Sequence, residues 1–168
     1  MKIFLTGKPG CGKSTVLEKV VEILKKKGVK VGGFITPEIR EEGKRVGFYV
    51  KDIFSGDVGL LASKDIRVGP RVGKYGVNVE EFERIALKAL NFALKECEVI
   101  AIDEIGKMEM FSKKFKEEIV KLMLIDKPLV AVLHRNLVNS FKEYGEVIEV
   151  TQRNRKNLPR EIVKKVWA

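Results

Sequence analysis

The chain has 168 residues, 45% hydrophobic and 33% charged, and its 33 Lys and Arg against 23 Asp and Glu give a formal net charge of +10. These values suit one domain with a full core, expected to span 1–168, and exclude a wholly disordered chain. No apolar run approaches the roughly 18–20 residues of a membrane span, and two cysteines (Cys11 and Cys97) make neither a disulfide framework nor a zinc site, so a cytoplasmic setting with no membrane partner is expected.

Residues 2–6 predict a short buried strand, which turns polar at Thr6, too soon for a signal-peptide core. A glycine-rich turn leads into a helix over about 13–27, with Val16, Leu17, Val20, Val21 and Leu24 spaced three and four apart. Its basic last turn and Gly28 are stop signals. From 29 to 77 the pattern shortens to β-like runs at 29–36, 45–53, 58–61 and 66–68. Glu41-Glu42-Gly43-Lys44 reads as the hairpin turn between the first two. This stretch predicts an antiparallel excursion attached to the main sheet.

Asn78 caps a helix expected over 79–95, with Glu81 in capping-box position and Phe82, Ile85, Ala86, Ala89 and Ala93 on its apolar face. The unbroken run 99–102 predicts a strand buried on both faces. A helix over 112–124 follows, then a strand at 129–133 and another at 147–150. Pro159 marks the start of a terminal helix ending near Trp167. Buried strands alternating with helices predict a three-layer α/β fold with a mostly parallel sheet and right-handed crossovers.

Gly7-Lys8-Pro9-Gly10-Cys11-Gly12-Lys13-Ser14 fits G-x-x-x-x-G-K-[ST] at every fixed position, between a predicted strand and a predicted helix. The glycines let successive N–H groups turn inward on phosphate oxygens, and the helix adds its positive end. Lys13 is expected to reach the β- and γ-phosphates and Ser14 to hold Mg²⁺, with Thr15 completing the nucleotide-binding stretch. Cys11 reads as a variable filler of the loop and Cys97 as a small core residue opening a strand.

A second acid is needed for the metal. Asp103 ends the apolar run Val99, Ile100, Ala101, Ile102, at the carboxyl edge of the sheet where a Walker B aspartate belongs. Glu104 follows, allowing Asp103 to steady the metal while Glu104 activates a water. The segment continues through Ile105 and Gly106. The strand at 129–133 ends in His134-Arg135-Asn136. His134, the only histidine, is placed to meet the γ-phosphate or the attacking water, although an exposed polar loop accounts for these residues as well. Asn154 and Arg155, within Thr151-Gln152-Arg153-Asn154-Arg155, are candidates for contact with the nucleobase; an ordinary basic loop explains them equally. Arg67, Arg71 and Lys74 are further candidates for phosphate contact.

With these residues laid out, the chain resembles the small P-loop nucleoside-triphosphatases that include the animal cancer-related nucleoside-triphosphatase. The resemblance rests on residues 2–14, Gly33-Phe34-Ile35-Thr36, Arg45-Val46-Gly47-Phe48, and Arg71 through Val77. It continues in Ile102-Asp103-Glu104-Ile105-Gly106-Lys107-Met108-Glu109, and in Thr151 with Asn154-Arg155. It implies Mg²⁺-dependent hydrolysis of ATP, GTP, CTP and UTP to diphosphate and phosphate, with broad base tolerance. It also implies a RecA-like strand order, with one strand between the P-loop and Walker B strands, which would set His134 beside the γ-phosphate.

Two other readings stay open. One is a nucleotide or nucleoside kinase sharing the same loop. The other is a nucleotide-dependent RNA-binding module, suggested by the net charge. Lys25-Lys26-Lys27, Lys113-Lys114 and Lys164-Lys165 fall where helices face water, and Gln152 is the only glutamine in a Lys- and Glu-rich chain. Both features favour a solvated, thermophile-like surface, so a nucleic-acid partner is not expected, and a monomer is.

Overall fold

In the computed structural model, which describes residues 1–168, the chain begins β1 (Lys2–Thr6), α1 (Lys13–Lys26), β2 (Val31–Ile35), β3 (Glu38–Glu41) and β4 (Lys44–Asp52). It continues β5 (Val58–Ser63), β6 (Arg71–Val72), β7 (Tyr75–Val77), α2 (Val79–Glu96) and β8 (Val99–Ile105). It ends α3 (Lys113–Leu124), β9 (Leu129–Leu133), α4 (Val138–Phe141), β10 (Glu146–Glu149) and α5 (Leu158–Val166). All the strands join one sheet in the order β10-β1-β9-β8-β2-β4-β5-β7-β6, with β3 beside β4. The first five are parallel and the remainder antiparallel.

Alternation along the central strands explains their unbroken apolar character. Ile3 and Leu5 of β1 face α1 and α5 among Val16, Leu17, Val130 and Ile162, whereas Phe4 faces the opposite layer. On that side Phe34, Phe82 and Phe115 meet edge-on, with ring centroids 5.2–5.7 Å apart, tying β2 to α2 and α3. The expected three layers are present, and β9 separates β1 from β8 as the resemblance implied.

The antiparallel part differs in detail from expectation. β2 pairs with β8 in parallel, so it belongs to the central sheet and the excursion starts at β3. Glu41–Lys44 is a turn, but it joins β3 to β4, an additional strand lying along the same edge of β4 as β2. Positive φ at Glu42 (50°) and Gly43 (76°) matches the twist such a tight hairpin needs. Residues 66–68 are not a strand. The Ile66 carbonyl is taken by the Arg71 guanidinium at 2.7 Å, and pairing moves to the β6–β7 hairpin. Cys97 closes α2 rather than opening a strand, and it is buried as expected.

Candidate active site

The phosphate loop lies between β1 and α1, with φ of 143°, 76° and 100° at Gly7, Gly10 and Gly12. At Gly7 shape matters too, since a Cβ would come within 2.9 Å of both Cys11 Sγ and the Val150 carbonyl oxygen. The side chains of Asn78 and Ser112 cap α2 and α3, but no side chain caps α1. Its first-turn amides are therefore left for an anion. Lys13 donates from Nζ to the Gly7 carbonyl at 2.8 Å, folded back over its own loop.

The Walker B acids meet this loop. β8 runs on beyond the apolar run, carrying Asp103 and Glu104 to the carboxyl edge of the sheet. Val99, Ile100, Ala101 and Ile102 are at most 1% exposed and support the site from within the core. Burial pushes the Asp103 carboxyl up to about 7, against the opposing pull of a hydrogen bond with Ser14 and the charge of Lys13; Glu104 and Glu18 push it further up. Burial likewise raises Glu104, and Lys13 alone opposes it. The two expected metal ligands, Ser14 and Asp103, are thus near enough for the Ser14 hydroxyl to favour the Asp103 carboxylate, yet that hydroxyl and the Lys13 charge do not offset the burial of Asp103. That is a fit for a divalent cation, which with nucleotide phosphates and water needs only one or two protein ligands.

Two contributors carried no signal in the spacing. Thr36 donates from Oγ1 to the Asp103 carbonyl at 2.9 Å, fastening β2 to the Walker B turn. Glu109, 2% exposed, has an unpartnered buried Oε1. Its carboxyl lies well above the usual range because of burial and the nearby Glu104, with Asp103 adding to it. An acid set among Met108, Met110 and Phe111 was the available hint. Gly106 packs against the Glu104 carboxyl, where an added Cβ would lie 2.7 Å from Oε1.

His134 follows β9. Its Nδ1 accepts from the Asn136 N–H at 3.1 Å, so the neutral ring carries its proton on Nε2. Burial holds its pKa down, helped by Lys107, Lys13 and Arg135, which places the imidazole in the field of the P-loop lysine. Arg155 lies over the P-loop, with Cδ 3.3 Å from where a Gly12 Cβ would be and a long bond of 3.4 Å to the Cys11 carbonyl. Asn154 is occupied within its own loop. Its Oδ1 accepts from Thr151 N–H at 2.8 Å and its Nδ2 donates to the Glu149 carbonyl at 2.8 Å. A cavity of about 510 Å³ opens between Lys8–Cys11 and residues 149–153, and one of about 360 Å³ lies beside Gly12, Thr15 and Arg155. Arg71 is spent on the Ile66 and Lys74 carbonyls, and Lys74 lies over the Tyr75 ring, so neither is aimed at the loop.

Comparison with known proteins agrees with this geometry. A family model described as NTPase matches residues 2–163. The chain is 46% identical to nucleoside-triphosphatase THEP1 of Methanocaldococcus jannaschii, with 100% of this chain and 98% of that protein covered. It is 43% identical to THEP1 of Thermofilum pendens, covering 96% and 93%. Its fold matches the crystal structure of THEP1 from the hyperthermophile Aquifex aeolicus with a TM-score of 0.86 at 34% identity, over the whole of both chains. It matches the solution structure of a human cancer-related nucleoside triphosphatase with a TM-score of 0.83 at 35% identity, covering 99% and 97%. With a P-loop, a Walker B acid pair and these relatives along its whole length, the chain belongs to the NTPase family of nucleotide-binding P-loop hydrolases.

Proposed function

We propose that the protein hydrolyses nucleoside 5′-triphosphates to diphosphate and phosphate, using Mg²⁺ and discriminating little among bases. The observation that supports this reading is that the P-loop groups Ser14 and Lys13 act on the buried Asp103 carboxyl, and Lys13 on Glu104, at the end of β8. Mg²⁺ held by Ser14 and Asp103 would neutralise charge on the β- and γ-phosphate oxygens.

The P-loop amides of Gly7–Ser14 and the first turn of α1 bind and orient the phosphates. Glu104, its basicity raised by burial, takes the proton of the attacking water. The water oxygen bonds to the γ-phosphorus as the bond to the β–γ bridging oxygen breaks, and the electron pair leaves with the diphosphate. Lys13 and the Nε2–H of His134 stabilise charge on the transferring group. Base tolerance is supported by the Thr151–Arg155 loop, where the Asn154 amide is already engaged and Arg155 offers a flat cation that stacks on any base.

The test is phosphate release from ATP, GTP, CTP and UTP with Mg²⁺ and no second substrate. Steady release from all four is expected. Release from one alone would refute base tolerance, and undiminished release in excess EDTA would remove the metal from the scheme.

A further inference from the structure

Glu109 takes no part in the scheme above. It opens the turn of 3-10 helix, Glu109–Phe111, that follows β8 and packs against α2 and α3. The side chain is 2% exposed, enters no salt bridge and leaves Oε1 without a hydrogen-bond partner. Burial raises its pKa well above the usual range and the charges of Glu104 and Asp103 raise it further, while the backbone N–H groups of Glu109 and Gly106 pull the other way. Met108 and Met110, on either side of it, pack against the apolar layer. An acid buried there costs stability that an apolar side chain would not, so its use lies in the site.

Gly106 connects the two glutamates. It is buried, and its N–H donates to no backbone carbonyl, so an unmet donor lies near the unmet acceptor of Glu109. That N–H acts on the Glu109 carboxyl. Gly106 also supports the Glu104 carboxyl, since an added Cβ would lie 2.7 Å from Glu104 Oε1, 2.9 Å from Cδ and 3.1 Å from Cγ. The turn is tied elsewhere through its carbonyls. That of Gly106 accepts from Met110 N–H, and that of Ile105 from His134 N–H, each at 3.0 Å. Glycine is conformationally free, so the floor beneath Glu104 is only as firm as what holds the Gly106 amide.

We propose that Glu109 is a positioning residue for hydrolysis, whose carboxyl oxygen takes the Gly106 N–H and so fixes the turn on which the Glu104 carboxyl rests. The inference rests on the role given to Glu104 above. Glu109 acts as an acceptor towards the backbone and not through its charge. A side-chain amide therefore serves in its place, and an apolar side chain does not.

The experiment measures phosphate release from ATP with Mg²⁺, and ATP affinity by equilibrium binding, for Glu109→Leu, Glu109→Met and Glu109→Gln. In the two apolar variants kcat should fall about 10–100-fold while affinity stays within a few-fold, because a small misplacement of Glu104 is felt in the chemical step. Glu109→Gln should restore kcat to within about fivefold of the parent protein. Thermal melts of the apolar variants should lie at or above the parent's, which separates lost turnover from lost structure. In a Glu104→Gln background, Glu109→Leu should change the residual rate by less than about twofold, since both substitutions then act on one group. Parental kcat in both apolar variants would overturn the proposal, as would a loss in Glu109→Gln equal to theirs. Melting well below the parent would assign the acid to the fold instead, and independent losses in the double variant would remove Glu104 as its target. Parental turnover in Glu104→Gln alone would bring down water activation by Glu104 and this inference together.

Discussion

Asp103 is 7% exposed and titrates near 7, whereas an aspartate in an unfolded chain titrates near about 3.9. Between those values the folded state holds a proton that the unfolded state has lost, so metal-free stability must fall as pH rises from about 4 to 7 and level off above. The sign is opposite to that of a salt-bridged aspartate. Asp103→Asn should therefore melt at a higher temperature than the parent protein in EDTA at pH 8, while losing metal-dependent turnover. A lower melting temperature would refute the burial argument. For Glu104→Gln, nucleotide affinity is expected to stay within a few-fold while turnover drops by about 10²–10⁴, read by equilibrium binding and phosphate release. Gly106→Ala should produce a milder version of the same split, because its methyl would displace the Glu104 carboxyl.

At the scale of elements, the segment from Thr151 to Arg155 is held by its own hydrogen bonds, three of them made by Asn154. Only two of those use its side chain, and Asn154→Ala removes both. The expected result is a loss of about 1–2 kcal/mol of stability and a raised KM for all nucleotides with kcat little changed, measured by denaturant unfolding and steady-state kinetics. Much of the architecture was legible in sequence because its causes are local. An unbroken apolar run such as 129–133 has only one comfortable place, between two helical layers, and the P-loop spacing specifies its own backbone. The excursion was harder to read because its causes lie far along the chain. Residues 66–68 have strand-like composition, yet Arg71 takes the Ile66 carbonyl. Residues 38–41 are mostly charged, with only Ile39 half-buried, yet they pair because β4 presents an open edge. In the site, Lys13, Ser14, Asp103 and Glu104 could be picked out by type and spacing. The Thr36 bond and the burial of Glu109 depend on how two distant segments meet.

Across the whole molecule, the excess of positive charge is borne mainly by lysines on exposed faces. Pairs such as Lys26–Glu22, with side chains 75% and 63% exposed, contribute little to stability. Their summed field is still felt by a polyanion approaching the crevice. The value of kcat/KM for triphosphates should accordingly fall several-fold between roughly 50 and 500 mM salt while kcat changes little. Stability resides instead in the two apolar layers. Phe82→Ala, at the centre of the aromatic trio, should cost about 3–5 kcal/mol by denaturant unfolding. No helix is long and apolar enough to cross a membrane.

The bond from Lys13 Nζ to the Gly7 carbonyl has a consequence for which ligands the loop retains. An ammonium already resting on a neutral oxygen gains from a newcomer only the difference between that oxygen and the one offered. A terminal phosphate, carrying more charge than a carbonyl dipole, wins that exchange easily. A ligand whose chain stops one phosphate short would offer only the β-phosphate of the two that Lys13 is expected to reach. On this reading the loop would grade nucleotides by the length of their phosphate tail, and a triphosphate should bind more tightly than its diphosphate, a difference that equilibrium binding would read and that Lys13→Ala should reduce.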